Sequence, residues 1–107
     1  MNKIFNSIYN ARAIARLDSD NIVHNHIYHN CPIGKINNNL IYDNDNILVG
    51  RVDENGVVHN HHIDYSPIGE VLENGFILKN NSFIGRIEGE NYLLAGAAYL
   101  LLIKGNH

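Results

Sequence analysis

Val49-Gly50-Arg51-Val52-Asp53-Glu54-Asn55-Gly56-Val57-Val58-His59-Asn60-His61 is the stretch that decides the fold of this 107-residue chain. Val49 to Asp53 reads as a strand, Glu54-Asn55-Gly56 as a turn, and Val57 to His61 as the return strand, because Asn-Gly between two β-branched runs accepts positive φ at little cost. Its opening four residues are one copy of a phrase that occurs five times: Ile14-Ala15-Arg16-Leu17, Ile33-Gly34-Lys35-Ile36, Val49-Gly50-Arg51-Val52, Ile68-Gly69-Glu70-Val71 and Ile84-Gly85-Arg86-Ile87. The copies start 19, 16, 19 and 16 residues apart. That step is too short for a helical repeat or a propeller blade and long enough for one hairpin and its connection. The chain is therefore expected to be all-β, with five short β-hairpin repeats radiating around a common axis in one closed domain, 1–107.

Outward from the phrase, the register is set by turn chemistry. Aligned turns place Asn21, Leu40, Gly56, Gly75 and Asn91 at one position, and all but Leu40 are residue types that accept a left-handed backbone. Either the Asn37-Asn38-Asn39-Leu40 turn has another shape or a neighbouring asparagine takes the strained place. Positions two apart on a strand share a face. Each phrase glycine, with Ala15 completing the set, thus joins the apolar residue two further on to line a crowded centre. Arg16, Lys35, Arg51, Glu70 and Arg86 fall on the opposite face, as solvated charges that discourage edge pairing or as a ring able to hold an anion. Pro32 and Pro67 stand where strands begin and a missing donor costs little. Ile4 to Asn10 looks like the return strand of an incomplete petal. The apolar run Tyr92 to Ile103 is expected as a C-terminal strand, 92–103, that closes the ring; its small residues Ala95 to Ala98 equally permit a short helix packed on the end.

The repeated phrase resembles that of the β-flower proteins, small uncharacterised bacterial proteins in four-fold and five-fold forms. The residues that carry the similarity are Val49-Gly50-Arg51-Val52-Asp53, Asn55-Gly56-Val57-Val58 and the closing Ala97-Ala98-Tyr99-Leu100-Leu101-Leu102. The resemblance spans 14 to 103 and implies five hairpins about an axis, without implying an activity. The chain departs from the pattern at Ala15, Leu40, Glu70 and its His-Asn-His segments.

Composition narrows the classes of function. One cysteine, Cys31, cannot form an internal disulfide, and no charged segment followed by an apolar run opens the sequence, so a cytoplasmic location is expected. With a net charge of -3 and basic residues scattered among the repeats, nucleic acid is not an expected partner. The longest apolar run is shorter than the about 20 residues of a spanning helix, so no transmembrane segment is expected.

Histidine is the one chemical clue, seven residues of which His24, His26, His29, His59, His61 and His62 lie in the two long repeats. His-x-His on a strand would set two imidazoles on one face about 7 Å apart, a spacing at which both can reach one metal ion. His24, His26, His59 and His61 are therefore the candidate ligands for zinc, nickel or copper, should the two pairs converge. The plainer reading is that they are solvated or hydrogen-bonded residues duplicated with the repeat; clustered histidines would also gain charge together in acid. Catalytic and other cofactor-binding residues are not discernible. Cys31 precedes a proline, no serine has a nucleophile elbow, and Asp43, Asp45, Asp53 and Glu54 are turn residues. Asp43-Asn44-Asp45-Asn46 lacks the glycine and closing glutamate of a calcium loop. Eighteen asparagines fit tight turns, and together with Tyr28, Tyr42 and Tyr65 they could also contact sugars. The expected function is a non-enzymatic binding or assembly module for a protein or small ligand, compatible with a homo-oligomer, with a transition-metal protein as the alternative.

Overall fold

The computed structural model describes residues 1–104. Ten antiparallel strands follow one another around a closed barrel: β1 Asn2–Phe5, β2 Ala15–Leu17, β3 Ile22–His24, β4 Pro32–Asn37, β5 Leu40–Asp43, β6 Leu48–Val52, β7 Val57–His59, β8 Pro67–Val71, β9 Phe76–Lys79 and β10 Ser82–Glu88. β2–β3, β4–β5, β6–β7 and β8–β9 are four petals of contiguous chain. The fifth joins the two ends of the chain, because β1 pairs with β10 on one side and β2 on the other. Where the other petals have a covalent turn, this one is latched by the Asn91 amide donating to Asn2 Oδ1 at 2.9 Å. Closure removes the free edges that would otherwise recruit other chains.

Four of the five phrases open on a β-bulge; the first, at Ile14, pairs without one. The ladder passes from Val23↔Gly34 to His24↔Pro32, and likewise skips Val49, Ile68 and Ile84 in the later petals. A bulge lets two consecutive residues approach the same side of a strand and sharpens its bend. So Ile33, Val49, Ile68 and Ile84 pack against the core beside the glycines that follow them, while Leu17, Ile36, Val52, Val71 and Ile87 are buried two residues on.

The run from Tyr92 corrects the expectation of a strand. It forms α1, Tyr92–Ala98, continued by a π-helical turn, Tyr99–Lys104, and it lies inside the barrel rather than on its end. The run is apolar all round because the petals surround it, and amphipathic periodicity has no place in a helix buried on every side. The phrase glycines make room for it one by one. A Cβ at Gly85 would come 3.0 Å from Tyr99 Cε2, at Gly69 2.9 Å from Leu100 Cδ1, at Gly50 2.7 Å from Leu101 Cδ1 and at Gly34 2.6 Å from Leu102 Cδ1. Successive helix residues thus meet successive petals. Petals in a five-fold ring are about 72° apart, an α-helix turns about 100° per residue, and the wider π turn rotates side chains less. Widening the helix over Tyr99–Lys104 brings its side chains closer to the spacing of the petals. Tyr99, fully buried, donates its hydroxyl to the Ile84 carbonyl at 2.9 Å, and burial pushes its phenol up from 10.0. No helix among the described residues is long and apolar enough to cross a membrane.

The turns follow the expected chemistry at Asn21, Gly56 and Gly75, which have φ of 62°, 86° and 86°. In the second petal Asn38, not Leu40, takes the positive φ. Asn91 stands at the helix N-terminus with φ of -91°, and Gly89 adopts the positive φ there instead.

Candidate functional site

The two long petals are each built around an aspartate that uses both of its oxygens. Asp18 Oδ1 accepts from the Asp20 and Ile22 amides, closing the turn, and Asp53 Oδ1 does the same for Asn55 and Val57. The other oxygen reaches the end of the return strand, where His24 Nε2 lies 2.7 Å from Asp18 Oδ2 and His59 Nε2 lies 3.0 Å from Asp53 Oδ2. Burial raises the two carboxyls, but the hydrogen bonds from the turn amides and the histidine outweigh it and hold both below 3.8. His59 Nδ1 accepts from the Ser66 amide at 3.1 Å, which completes a neutral ring with its proton on Nε2. His24 Nδ1 is buried without a hydrogen-bond partner.

Arg16 and Arg51 are the cross-strand neighbours of these histidines on the outer face of the barrel. Arg16 donates to the carbonyls of His26 and His29 and to Asn30 Oδ1, and Arg51 to the carbonyls of His61 and Asp64. The long connections 25–31 and 60–66 are thereby held against the outer face of the sheet, where His24 and His59 are buried and Asp18 and Asp53 remain partly exposed. Arg86 does similar work by donating to the Asn10 carbonyl while its guanidinium lies 3.7 Å over the Phe5 ring. Long connections therefore accompany arginine. Before the short connections 44–47 and 80–81 the same position holds Lys35, 6.0 Å over Tyr42, or Glu70. Three of the five residues of the outer ring of charge expected from sequence are thus loop clasps, and Arg16 is buried rather than solvated.

The His-x-His pairs do not lie along one strand face. β3 ends at His24 and β7 at His59, and the chain then turns, so His26 and His61 stand in the loops. There they act as caps: His26 Nδ1 accepts from the Tyr28 and His29 amides at 3.0 Å, and His61 Nδ1 from Ile63 and Asp64 at 3.0 and 2.8 Å. Both caps require an unprotonated Nδ1. His62 stacks on His61 with ring centroids 4.6 Å apart, and the His29 ring lies tilted against His26 at 4.5 Å. Among the described residues no group of three or more His, Cys, Asp or Glu side chains could hold a metal ion, and His107 lies outside them.

All five connections between petals, 6–14, 25–31, 44–47, 60–66 and 80–81, fall at one end of this up-and-down barrel, opposite the turns. Tyr9, Tyr28, Ile47, Ile63, Tyr65 and Phe83 are exposed in or beside them. A cavity of about 560 Å³ lies between connection 60–66 and the turn at Asn80-Asn81, and another of about 700 Å³ lies between connections 6–14 and 25–31. Of these features, sequence reading found Tyr28 and Tyr65 but not the clefts or the arginine clasps. The signal available for the clasps was the pairing of arginine phrases with long connections.

No family model matches the chain, and neither curated proteins nor solved structures include one significantly similar to it.

Proposed function

We propose that this chain is a non-enzymatic binding or assembly module that presents its ligand surface at the loop end of a rigid barrel. The observation that carries this reading is the distribution of exposed apolar side chains, one or more at each of the five connections. The acid–base groups support it from the other side. Each Asp–His pair spends its hydrogen bonds on a turn and a strand end under a clasped loop, which suits bracing better than proton transfer to a substrate. Kinship with the β-flower proteins is part of this reading and rests on the phrase and the glycine-lined centre. A cytoplasmic location goes with it, supported by the single unpaired Cys31. The test is site-specific photo-crosslinking in cells. A benzophenone side chain placed at Tyr28 or Tyr65 should give an adduct of discrete mass, while Ser19 and Asn55 at the turn end should give none. Equal labelling at both ends, or none at either, contradicts the reading; an adduct with a second copy of this chain identifies an assembly module.

One observation favours a transition-metal protein as the second reading. His24 offers a buried, unpartnered Nδ1 while its Nε2 faces a carboxylate, as metal-bound histidines commonly do. Tag-free protein would then retain zinc, nickel or copper and melt higher when the ion is added, and lose both properties when His24, His26, His59 and His61 become Ala. Absence of both in the native protein removes this reading.

A further inference from the structure

The geometry points to the cleft between the third and fourth petals as a binding site for a neutral sugar, such as the terminal residues of a glycan, an inference that rests on the binding-module reading above. Glu70 is central to it. In three petals the corresponding residue is an arginine engaged by a loop, and in the second it is Lys35, paired with Tyr42. Glu70 instead stands between Val57 and Leu78 on the neighbouring strands, half-buried, and takes part in none of the ion pairs among the described residues. Connection 80–81 is too short to fold over it, so the carboxylate faces a cleft of about 560 Å³.

The walls have matching chemistry. Tyr65 is 78% exposed, and its ring lies 5.0 Å from the fully buried His59 ring, which puts an aromatic face on one side of the cleft. Opposite stand Asn80 and Asn81, with φ of 52° and 64°, in a two-residue turn whose ladder closes at Lys79↔Ser82. Such a turn fixes where its side chains project. The Asn60 side chain receives the Ser66 hydroxyl on its oxygen, which leaves its amide N–H groups to donate. Glu70 and Lys79 are the charged residues lining the cleft, and their charges cancel. Electrostatics therefore favours neither an anion nor a cation. What remains is an aromatic face for the C–H side of a ring and planar amides and a carboxylate for adjacent hydroxyls, the requirements of a pyranose.

The test is a titration of ¹⁵N-labelled native protein with methyl glycosides of glucose, galactose, mannose and N-acetylglucosamine and with their β-linked disaccharides, with choline and acetate as charged controls. A sugar that binds should shift the amides of Tyr65, Glu70, Asn80 and Asn81 in a saturable manner, and Tyr65→Ala or Glu70→Gln should weaken it by about tenfold while the rest of the spectrum stays folded. Saturation by a charged control in preference to every sugar overturns the inference. So does the absence of shifts in the cleft with all sugars at 10-millimolar order, or undiminished binding by both variants. If crosslinks form at the loop end while no sugar binds, the sugar assignment alone falls; if neither occurs, the module reading falls with it.

Discussion

Replacing Gly50 by Ala should destabilise the protein far more than the same change at Gly69, although both glycines occupy the same place in the repeat. Where the backbone is unstrained and there is room, Gly→Ala stabilises a protein by about 0.4–1 kcal/mol by restricting the unfolded chain. Neither glycine has positive φ, so space alone decides the sign. At Gly69 the new methyl would sit 2.9 Å from Leu100 Cδ1 and 3.0 Å from the Leu78 carbonyl oxygen, and a small shift of the leucine tip relieves most of that. Its net cost should be about 1 kcal/mol or less. At Gly50 the methyl would drive into the backbone carbonyl of His59 as well as meeting Leu101 Cδ1 at 2.7 Å, and the carbonyl cannot retreat without disturbing the β6–β7 ladder and the Asp53–His59 bracket. Overpacking of that kind costs about 3 kcal/mol. At about 4–8 °C per kcal/mol for a domain near this size, Gly50→Ala should lower Tm by roughly 15 °C and Gly69→Ala by roughly 5 °C. Thermal unfolding followed by circular dichroism at neutral pH measures both. The companion variant Gly69→Ala/Leu100→Ala should lose less than the sum of its parts, because each change removes the other's crowding. A Gly50→Ala protein as stable as Gly69→Ala, or either one more stable than native, would refute the reasoning that close approach of a neighbouring strand's carbonyl, added to the leucine tips of the helix, is what keeps these positions glycine.

Other consequences can be measured on the same protein. The folded carboxyls of Asp18 and Asp53 titrate below their unfolded value of 3.8, so the stability they contribute is intact above that pH and is lost as pH falls through the folded values; Asp53→Asn should flatten the acid side of a urea-midpoint-versus-pH curve. Tyr99→Phe removes a buried hydrogen bond and should cost about 0.5–1.5 kcal/mol in chemical denaturation, with the spectrum of the barrel otherwise unchanged. Arg16→Ala should raise hydrogen exchange across 25–31 while leaving 60–66 protected, and Arg51→Ala should do the reverse. Asn2→Ala should loosen the uncovalent petal first, seen as faster exchange in β1 and β10, because it takes away the acceptor that latches Asn91.

The architecture was readable because its information is local and repeated. Asn-Gly turns, the period of the phrase and the alternation of Gly50 with Val52 all act within one hairpin, and five copies average out the ambiguity of each. Tyr92 to Lys104 was legible only as buried. Helix and strand both satisfy an unbroken apolar run, and what selects the helix is the width of a ten-stranded lumen, which exists only once the petals have closed. The histidines were conspicuous because they are duplicated, and so are their surroundings. Duplication placed His24 and His59 six residues after Asp18 and Asp53, so the partner of each ring was an aspartate within its own petal rather than the histidine two residues away. The strand ends at that bracket, and with it the shared face that a His-x-His pair would need. Arg16 and Arg51 read as exposed charges because their burial comes from the following connection, whose path the phrase itself does not encode. The cleft at Glu70 was hidden in a similar way, since Tyr65, Glu70 and Asn81 come from three segments that only the barrel brings together.

The most direct test of a petal barrel wound around its own C-terminal helix is a nuclear Overhauser experiment on methyl-labelled protein. Contacts should run in reverse order around the ring, from the Tyr99 ring to the Gly85 Hα, the Leu100 methyls to Gly69, the Leu101 methyls to Gly50 and the Leu102 methyls to Gly34. Interstrand backbone contacts between residues 92–103 and Asn2–Phe5, or leucine methyls that see solvent instead of those glycines, would contradict the account.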